Sequence, residues 1–438
     1  MPHHKKGDKK LLSAWASYDW ANSVYFLVIS STIFPLYYGY ICGDLTYLEV
    51  FGISFKNTAL ISYVTALAFL VIAFWSPILS GIADYMGNKK RFMQFYCYLG
   101  AAACVGLYWF DIQNIYFGLL FYFFALVGAW SSLVFYNSYL PDIAFPEQQN
   151  RISARGYALG YIGSVLLLLV NLLMVLKPEI FGIDDNGGDA SLKAMRYSFI
   201  TVGVWWFGFS HIAFYHLPCG NRDKVYTKDI FFNGYRELKS VWNSLKNLSF
   251  LKRYLGAFFV FSMALQTVML VAAYFGEQEI SWSGDEKTMG LIISILLIQI
   301  IAIFGALMSS RLANRWGNIK TLILLNIIWL VLCISAYFIY EPIEFYIVAG
   351  FVGLCMGGIQ SVARSTYSQL IPKTLDTTSY FSFYDVAEKV GIVIGMLLYA
   401  TIDQITGSMR SSVLVFVVFF FVGAILLIRL QRNNNETI

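Results

Sequence analysis

Long apolar stretches, separated by short polar segments, run through the whole chain. A helix needs about 20 such residues to cross the hydrocarbon core of a bilayer. The stretches are continuous and do not alternate every second residue, which favours helices over the strands of a membrane barrel. Twelve are found, at residues 14–40, 57–80, 91–110, 115–140, 154–176, 196–217, 252–275, 288–310, 320–340, 345–369, 380–402 and 410–430. The pattern predicts an all-α membrane protein with twelve transmembrane helices.

Composition supports the same class of protein. Of the 438 residues, 58% are hydrophobic and 13% are charged, whereas about a quarter of an ordinary soluble domain is charged. A soluble protein this apolar could not cover its own core with polar side chains. In lipid, the outer surface of each span is expected to be apolar.

The distribution of Lys and Arg predicts the orientation. With the N-terminus inside, the cytoplasmic segments hold 23 of the 31 Lys and Arg residues, and the external segments hold six. This bias places both termini in the cytoplasm. The lysine cluster in Met1–Leu11 contributes to it, and lipid binding by that cluster is the alternative interpretation. The net charge of +5 is thus explained by topology, and no nucleic-acid partner is predicted.

Cysteines and histidines give no indication of a metal or a catalytic site. The six cysteines are scattered and form no Cys-x-x-Cys pair, and the four histidines lack metal-site spacing. Neither a phosphate-binding loop nor a nucleophile triad is present. The sequence therefore predicts no cofactor, no metal and no enzymatic activity.

An internal repeat divides the chain into two six-helix halves. The segment 80–90 after the second span matches 310–320 after the eighth at five of eleven positions, with a constant offset of 230 residues. Duplication of a six-span unit explains this repeat. The predicted units are residues 1–217, a basic cytoplasmic linker at 218–251, and residues 252–438. A partner-binding amphipathic helix around Gly234–Leu248 is an alternative interpretation of the linker.

The turn after the second span has a recognisable composition: Asp84, Gly87, Lys89, Lys90 and Arg91. Glycine permits a tight turn between antiparallel helices, and Asp84 could accept hydrogen bonds from a neighbouring helix end. The turn resembles the signature loop of the major facilitator superfamily, although Ser80 stands where the motif has its first glycine. The resemblance implies a latch between the two halves in one state of the transport cycle.

Three further stretches resemble the vacuole-effluxer-like family of major facilitators. They are Tyr18–Ser23, the segment from Leu140-Pro141 through Arg151–Gly163, and Gly357–Ser365 with its continuation to Tyr384. Fungal members of that family export amino acids from the vacuole, so the resemblance implies amino-acid export. The chain lacks the acidic residue that the family often carries in span seven, and it has Glu388 where a small residue usually precedes the lysine of span eleven. Both differences affect residues that could determine which substrate is bound and which ion drives its transport.

Charged and amide side chains inside the spans are candidates for transport, because a charge there costs about 2.5–3.5 kcal/mol on insertion scales. Asp19 in span one, with Asn22 on the same helix face, could contact the solute or titrate. The structural alternative is an ion pair of Asp19 with Arg151 or Arg155 at the start of span five, which would close the cytoplasmic end of the transporter and make Arg155 part of the gate.

Spans ten and eleven hold a second set of charges. Arg364 and Asp385 are predicted at the same depth, and Lys389 follows Asp385 at the i,i+4 spacing that favours an ion pair. Asp385 could therefore pair with Arg364, with Lys389 or with both. Lys389 approaches the midplane, where it could meet a substrate carboxylate or be neutralised structurally. Glu388 has no cation at i±3 or i±4, which makes it a candidate proton-coupling group.

Gln266 in span seven and Gln360 in span ten could offer amide contacts to a polar solute, with Trp130, Tyr25 and Tyr274 as cavity walls. Together these features predict a secondary active transporter, an exporter of a small polar or zwitterionic solute that could be an amino acid. The expected partners are that solute, the lipid bilayer and protons, and the protein is expected to be a monomer in the plasma membrane (the inner membrane of a bacterium). Transport of sugars, peptides or drugs is an alternative, as is a non-transporting membrane receptor or scaffold.

Overall fold

The computed structural model describes residues 5–43, 45, 47–50, 52–184, 189–219, 230–283 and 286–435, and almost all of them are helical. Twelve long helical segments run back and forth in these ranges, each on one of the predicted apolar stretches. The first is continuous from α1 (Lys9–Val24) through a π-helical segment (Tyr25–Ile33) to α2 (Phe34–Cys42). The others are α3 (Asn57–Met86), α4 (Lys89–Gly106), α5 (Ile115–Ser138), α7 (Pro146–Leu176), α8 (Ala190–His216), α10 (Ser249–Glu279), α11 (Glu286–Trp316), α12 (Asn318–Phe338), α13 (Pro342–Leu370), α14 (Thr377–Thr406) and α15 (Met409–Asn435).

Two short helices complete the set, α6 (Leu140–Ile143) and α9 (Ile230–Asn247). Nine of the described spans are long and apolar enough to cross a membrane by length and composition alone. The remaining three, α4, α8 and α14, carry more charged or polar aromatic positions. The prediction of a twelve-helix membrane protein is confirmed, with most helices extending beyond the apolar stretch by a few residues at one or both ends.

The first span departs from regular α-helix in its middle. The N–H of Phe34 bonds the carbonyl of Ile29, five residues back, and the hydroxyls of Ser31 and Thr32 bond the carbonyls of Phe26 and Leu27, also five residues back. A backbone hydrogen bond to the carbonyl five residues back defines a π-helix, which is rare and often found at functional sites. Apolar periodicity does not distinguish it from an α-helix, and the sequence did not predict it.

A small β-hairpin connects the first two spans. Strands β1 (Tyr47–Val50) and β2 (Ile53–Lys56) pair antiparallel, with Tyr47 opposite Lys56. The side chains of β1 alternate between exposed and buried, as expected for a strand with one face on the protein. Because the hairpin is short, it was not predicted from the sequence.

Glycines bring spans eight and ten together. A methyl group on Gly353, Gly357 or Gly305 would overlap backbone atoms of the facing helix, α11 or α13. Gly353 and Gly357 are four residues apart and lie on the same face of α13. In lipid, where apolar contact alone gives little association, small residues at this spacing let backbones approach closely.

Two hydrophobic cores divide the bundle. The first consists almost entirely of residues between Leu11 and Leu217, and the second almost entirely of residues between Val241 and Leu430. Helix α9 lies between them: Gly234 packs against the backbone of Gly81 on α3, and Trp242 packs against Phe383 on α14. The amphipathic helix considered for the linker is therefore present, and it contacts both halves. The linker residues Arg222, Lys224 and Lys228 lie outside the described residues.

Candidate functional site between the two halves

The two halves meet through polar contacts at one end of the bundle, which we call the terminus face. It carries the start of α1, the α3–α4 turn, the end of α13 and the start of α14. Lys89 on α4 donates to the hydroxyl of Thr377 on α14 (3.0 Å), across the boundary between the halves. Within the first half, the backbone N–H of Gly7 bonds the carbonyl of Ile143 (2.7 Å). Both contacts hold neighbouring helix ends together at this face.

A buried ion pair crosses between the halves just inside the terminus face. The guanidinium of Arg364 on α13 donates to the carboxylate of Asp19 on α1 (3.1 Å). It also donates to the hydroxyl and the carbonyl of Ser153 on α7 (2.9 and 2.8 Å) and to Asn137 (3.3 Å). Asp19 in turn accepts from the hydroxyl of Tyr136 (2.8 Å). One side chain of the second half is thus inserted among α1, α5 and α7 of the first.

The surroundings of Arg364 explain how a buried cation is tolerated. Its guanidinium lies 4.1 Å from the centre of the Tyr157 ring and 5.0 Å from that of Trp15, and such contacts stabilise a desolvated cation. Gly156 leaves the space for the pair, since a methyl group there would overlap the Asp19 carboxylate. Removal of one member of a buried pair leaves the other charge without a partner and typically lowers the free energy of unfolding by about 3–5 kcal/mol.

The predicted partners of Asp19 were wrong. Arg155 instead donates to the hydroxyl of Ser13 (3.0 Å), and both Arg151 and Arg155 are exposed. The actual partner, Arg364, lies 345 residues away in the chain. Local spacing on one helix cannot predict a contact between two halves that fold as separate cores.

The turn after span two forms a second connection between the halves. Gly87 ends α3 in the left-handed conformation (φ +64°), as the tight turn requires. The carboxylate of Asp84 accepts hydrogen bonds from the backbone N–H groups of Thr378 (3.3 Å) and Ser379 (2.6 Å) at the start of α14. A carboxylate is stabilised at a helix N-terminus by these N–H groups and by the helix dipole. The expectation that Asp84 accepts from a neighbouring helix end is confirmed.

The three basic residues of the turn have different environments. Lys89 forms an ion pair with Asp142 and also bonds the carbonyl of Ser138 (3.1 Å). Lys90 is buried and donates to the carbonyl of Leu217 at the end of α8 (2.8 Å). Arg91 is exposed. The first two therefore fix the turn to its own half and to α14, which their basic character alone did not predict.

The repeat turn of the second half makes the corresponding contact with the first. Gly317, 230 residues after Gly87, also has a positive φ (+91°). Asn314, the counterpart of Asp84, accepts from Asn150 near the start of α7 (2.9 Å), and Asn150 also donates to Asn318 (2.7 Å). Each turn thus contacts the start of the fifth helix of the opposite half. The sequence repeat could have identified Asn314 as the counterpart of Asp84. The hydrogen bonds of Asn150 to Asn314 and Asn318 were not predicted.

A cluster of three charges lies deeper in the bundle, near the middle of α14. The ammonium of Lys389 contacts Asp385 (2.6 Å) and Glu388 (2.9 Å). The second oxygen of Glu388 accepts from the amide of Gln266 near the middle of α10 (2.7 Å). Lys389 also lies 3.9 Å from the ring centre of Trp130 on α5. The cluster therefore spans both halves, and two carboxylates face one ammonium.

Of the two partners considered for Asp385, the structure shows Lys389, while Arg364 is paired with Asp19. The expectation for Glu388 needs correction. Glu388 is not left without a cation, because the flexible side chain of Lys389 bends towards it although the two residues are adjacent. Helical spacing describes where a Cβ points, but four methylene groups let an ammonium reach a neighbouring carboxylate.

The remaining candidates lie apart from this cluster. Gln360 accepts from the hydroxyl of Tyr161 (2.8 Å) across the boundary between the halves. Asn22 is buried within the first half and donates to Ser132 (3.0 Å). Of the proposed cavity walls, Trp130 contacts the cluster, Tyr25 is buried in the first core and Tyr274 is exposed.

Metal-binding chemistry finds no support in the part of the chain that the structure describes. No group of three or more His, Cys, Asp or Glu side chains could hold an ion there. The six cysteines are free, and five of them are buried.

Relatives and solved structures agree with this architecture. An uncharacterized MFS-type transporter of Bacillus subtilis, YxiO, is 29% identical, over 95% of this chain and 93% of its own. Autophagy-related protein 22-2 of Aspergillus oryzae is 22% identical, over 88% of this chain and 75% of its own.

Among solved structures, the E. coli fucose:proton symporter FucP covers 96% of this chain and 97% of its own, with a TM-score of 0.67 and 14% identity. A bacterial homologue of the iron transporter ferroportin, in an outward-facing state, covers 97% of this chain and 98% of its own, with a TM-score of 0.65 and 12% identity. These likenesses show the major facilitator fold. A model of the family described as vacuole effluxer Atg22 like matches residues 7–437. The protein is therefore a major facilitator transporter and belongs to the Atg22-like vacuole effluxer family.

Proposed function

We propose that this protein exports a small polar or zwitterionic solute, with amino acids as the first class to test, by alternating access driven by protons. The observation that carries the proposal is the cluster of Lys389, Asp385, Glu388 and Gln266 near the middle of the bundle. Transporters of this architecture bind their solutes near the midplane, between the two halves. A solute carboxylate would meet Lys389, and a solute ammonium would meet the carboxylate left in excess.

The charge balance of the cluster supports proton coupling. Two carboxylates around one ammonium give a net charge of −1 when both are ionised, and Asp385 is buried. One oxygen of Asp385 has no hydrogen-bond partner among the described atoms. A proton on either carboxylate would neutralise the cluster, and so would a bound cation. Loading and release of a proton there would change the solute affinity of the site.

Export is proposed from the family, whose description is that of a vacuole effluxer. The Lys and Arg bias supports a location in the plasma membrane with both termini in the cytoplasm. A monomer is proposed because one chain supplies all residues of the cluster. The terminus face would then be the cytoplasmic side, closed in this structure.

Counterflow into proteoliposomes tests the proposal. Vesicles are loaded with one unlabelled class of solute (amino acids, sugars or dipeptides), and uptake of the labelled solute is measured. We expect saturable counterflow with amino acids, and accumulation that depends on a pH gradient. Counterflow with sugars alone would contradict the zwitterion assignment. No counterflow of any solute by folded protein would favour the receptor or scaffold function.

A further inference from the structure

A cationic crevice opens at the outer edge of the terminus face, between the first and sixth spans. It has a volume of about 370 Å³ and is lined by Lys9, Lys10, Ser13 and Ala14 of α1 and by Ile212 and His216 of α8. Both lysines are exposed. Arg155 of α7 reaches the same place, since its guanidinium donates to the hydroxyl of Ser13 (3.0 Å). Asp8, the nearest carboxylate in sequence, accepts from the backbone N–H of Lys10 (2.7 Å) as the cap of α1.

His216 is held in a fixed orientation at the rim. Its Nδ1 lies 3.0 Å from the carbonyl of Ile212. Because a carbonyl can only accept, Nδ1 carries the hydrogen in this contact. The crevice thus combines ammonium, hydroxyl and imidazole groups, which together suit a phosphate or another oxyanion.

An exposed apolar strip continues from the crevice along α8. On α8, Ile212, Phe209 and Trp205 follow His216 at helical spacing, and Ile212 and Phe209 are exposed. Trp20 of α1 borders this strip: its ring packs on Trp205 (5.2 Å between ring centres) and edge-on to Phe209 (5.9 Å). From His216 to Trp205 is eleven residues, or roughly 16 Å along the helix. That is about half of the hydrocarbon thickness of a bilayer, the depth of one leaflet.

We propose that this crevice and apolar strip bind one anionic phospholipid, with its phosphate at Lys9, Lys10 and His216 and an acyl chain along Ile212 and Phe209. Basic pockets between transmembrane helices are suited to anionic headgroups. The apolar strip, which is about as long as one leaflet is deep, favours a lipid over a small phosphate ion. The site lies on the outside of the first half, away from the Lys389 cluster, so the inference does not depend on which solute is transported.

Native mass spectrometry of the full-length protein tests the site, with chain-matched phosphatidylglycerol and phosphatidylcholine as probes. We expect the wild type to retain one phosphatidylglycerol in preference to phosphatidylcholine. The variant Lys9→Gln/Lys10→Gln should lose that preference, with affinity reduced roughly 10- to 30-fold, since each cation near the surface contributes about 1 kcal/mol. Both side chains are exposed, so the thermal unfolding midpoint should not change.

The control variant is Arg315→Gln/Lys320→Gln, which removes two exposed cations from the terminus face of the other half. It should keep the preference. Equal loss in both variants would overturn the proposal in favour of general surface charge, and equal binding of the two lipids by the wild type would overturn it as well. A third comparison uses short-chain phosphatidylglycerol and inorganic phosphate. Displacement of the bound lipid by either at low millimolar concentration would show a site for free phosphate groups and not for a lipid.

Discussion

At the residue scale, Glu388 is the position at which the proposed proton coupling is tested most directly. Its two oxygens contact Lys389 and Gln266, on different helices. Glu388→Gln keeps the size and the acceptor for Gln266, but it removes the second negative charge of the cluster. We expect this variant to lose accumulation driven by a pH gradient and to retain solute exchange, which needs no net proton movement.

Both activities of Glu388→Gln are measured in proteoliposomes with the solute identified by counterflow. Asp403→Asn, on the same helix but outside the cluster, serves as the control and should behave as the wild type. Full gradient-driven accumulation by Glu388→Gln would exclude this residue from coupling. Loss of folding would indicate that the contact with Lys389 is structural.

Asp84 carries the second residue-scale prediction. The variant Asp84→Asn keeps one acceptor oxygen and loses the other, since Thr378 and Ser379 donate to different oxygens of the carboxylate. It also loses the charge that the helix N-terminus favours, a contribution of about 0.3–1 kcal/mol, or up to ~2 when partly buried. The closed state should become less populated, so turnover should fall more than the apparent affinity for solute.

Initial rates of exchange over a range of solute concentrations separate the two effects of Asp84→Asn. Glu147→Gln, an exposed carboxylate on the same face, should change neither. If affinity collapsed in Asp84→Asn while turnover stayed normal, the turn would not act as a latch.

At the element scale, the packing of α1 on α7 depends on small residues. Gly156, Gly160 and Gly163 lie at helical spacing on α7, and a methyl group on the first two would overlap Asp19 and Ser23 of α1. We expect Gly156→Ala to destabilise the protein by about 1–3 kcal/mol, the usual cost of overpacking. It should also displace Asp19 from Arg364.

Thermal unfolding in detergent measures the effect of Gly156→Ala. Gly256→Ala is the matched control, since an added methyl on this exposed helical glycine of α10 meets no atom within 4 Å. A midpoint for Gly156→Ala as high as that of the control would mean that the two helices can separate without cost.

The sequence predicted the elements better than their ends or their contacts. All twelve spans lie on predicted apolar stretches, because every helix that crosses the bilayer must expose apolar side chains to lipid. The start of α7 at Pro146 was missed since its first turns are polar, and the π-helical segment Tyr25–Ile33 has the same apolar pattern as an α-helix. Among the site residues, pairs on one helix were predictable, as with Asp385 and Lys389. The Asp19–Arg364 pair was not, because it depends on how two halves dock.

At the scale of the whole molecule, the Lys and Arg bias predicts which face is cytoplasmic. Single cysteines at the exposed positions Lys239 and Asp189, in a background without native cysteines, should react differently with a membrane-impermeant thiol reagent. Labelling of intact cells should modify the Asp189→Cys variant alone, and Lys239→Cys should react only after permeabilisation. The reverse pattern would invert the topology and assign the terminus face to the outside.

In the proposed transport cycle the halves separate and close at the terminus face, and the Asp19–Arg364 pair and the two turns hold this face closed. The most direct test of this cycle is the distance between spin labels at Glu147 on α7 and Arg315 on α11, measured by pulsed electron paramagnetic resonance. Both positions are exposed, one on each half. The account predicts a short, closed distance in the wild type and a larger population at longer distance in Asp19→Asn and in Arg364→Gln. A single unchanged distance in the wild type and both variants would contradict it.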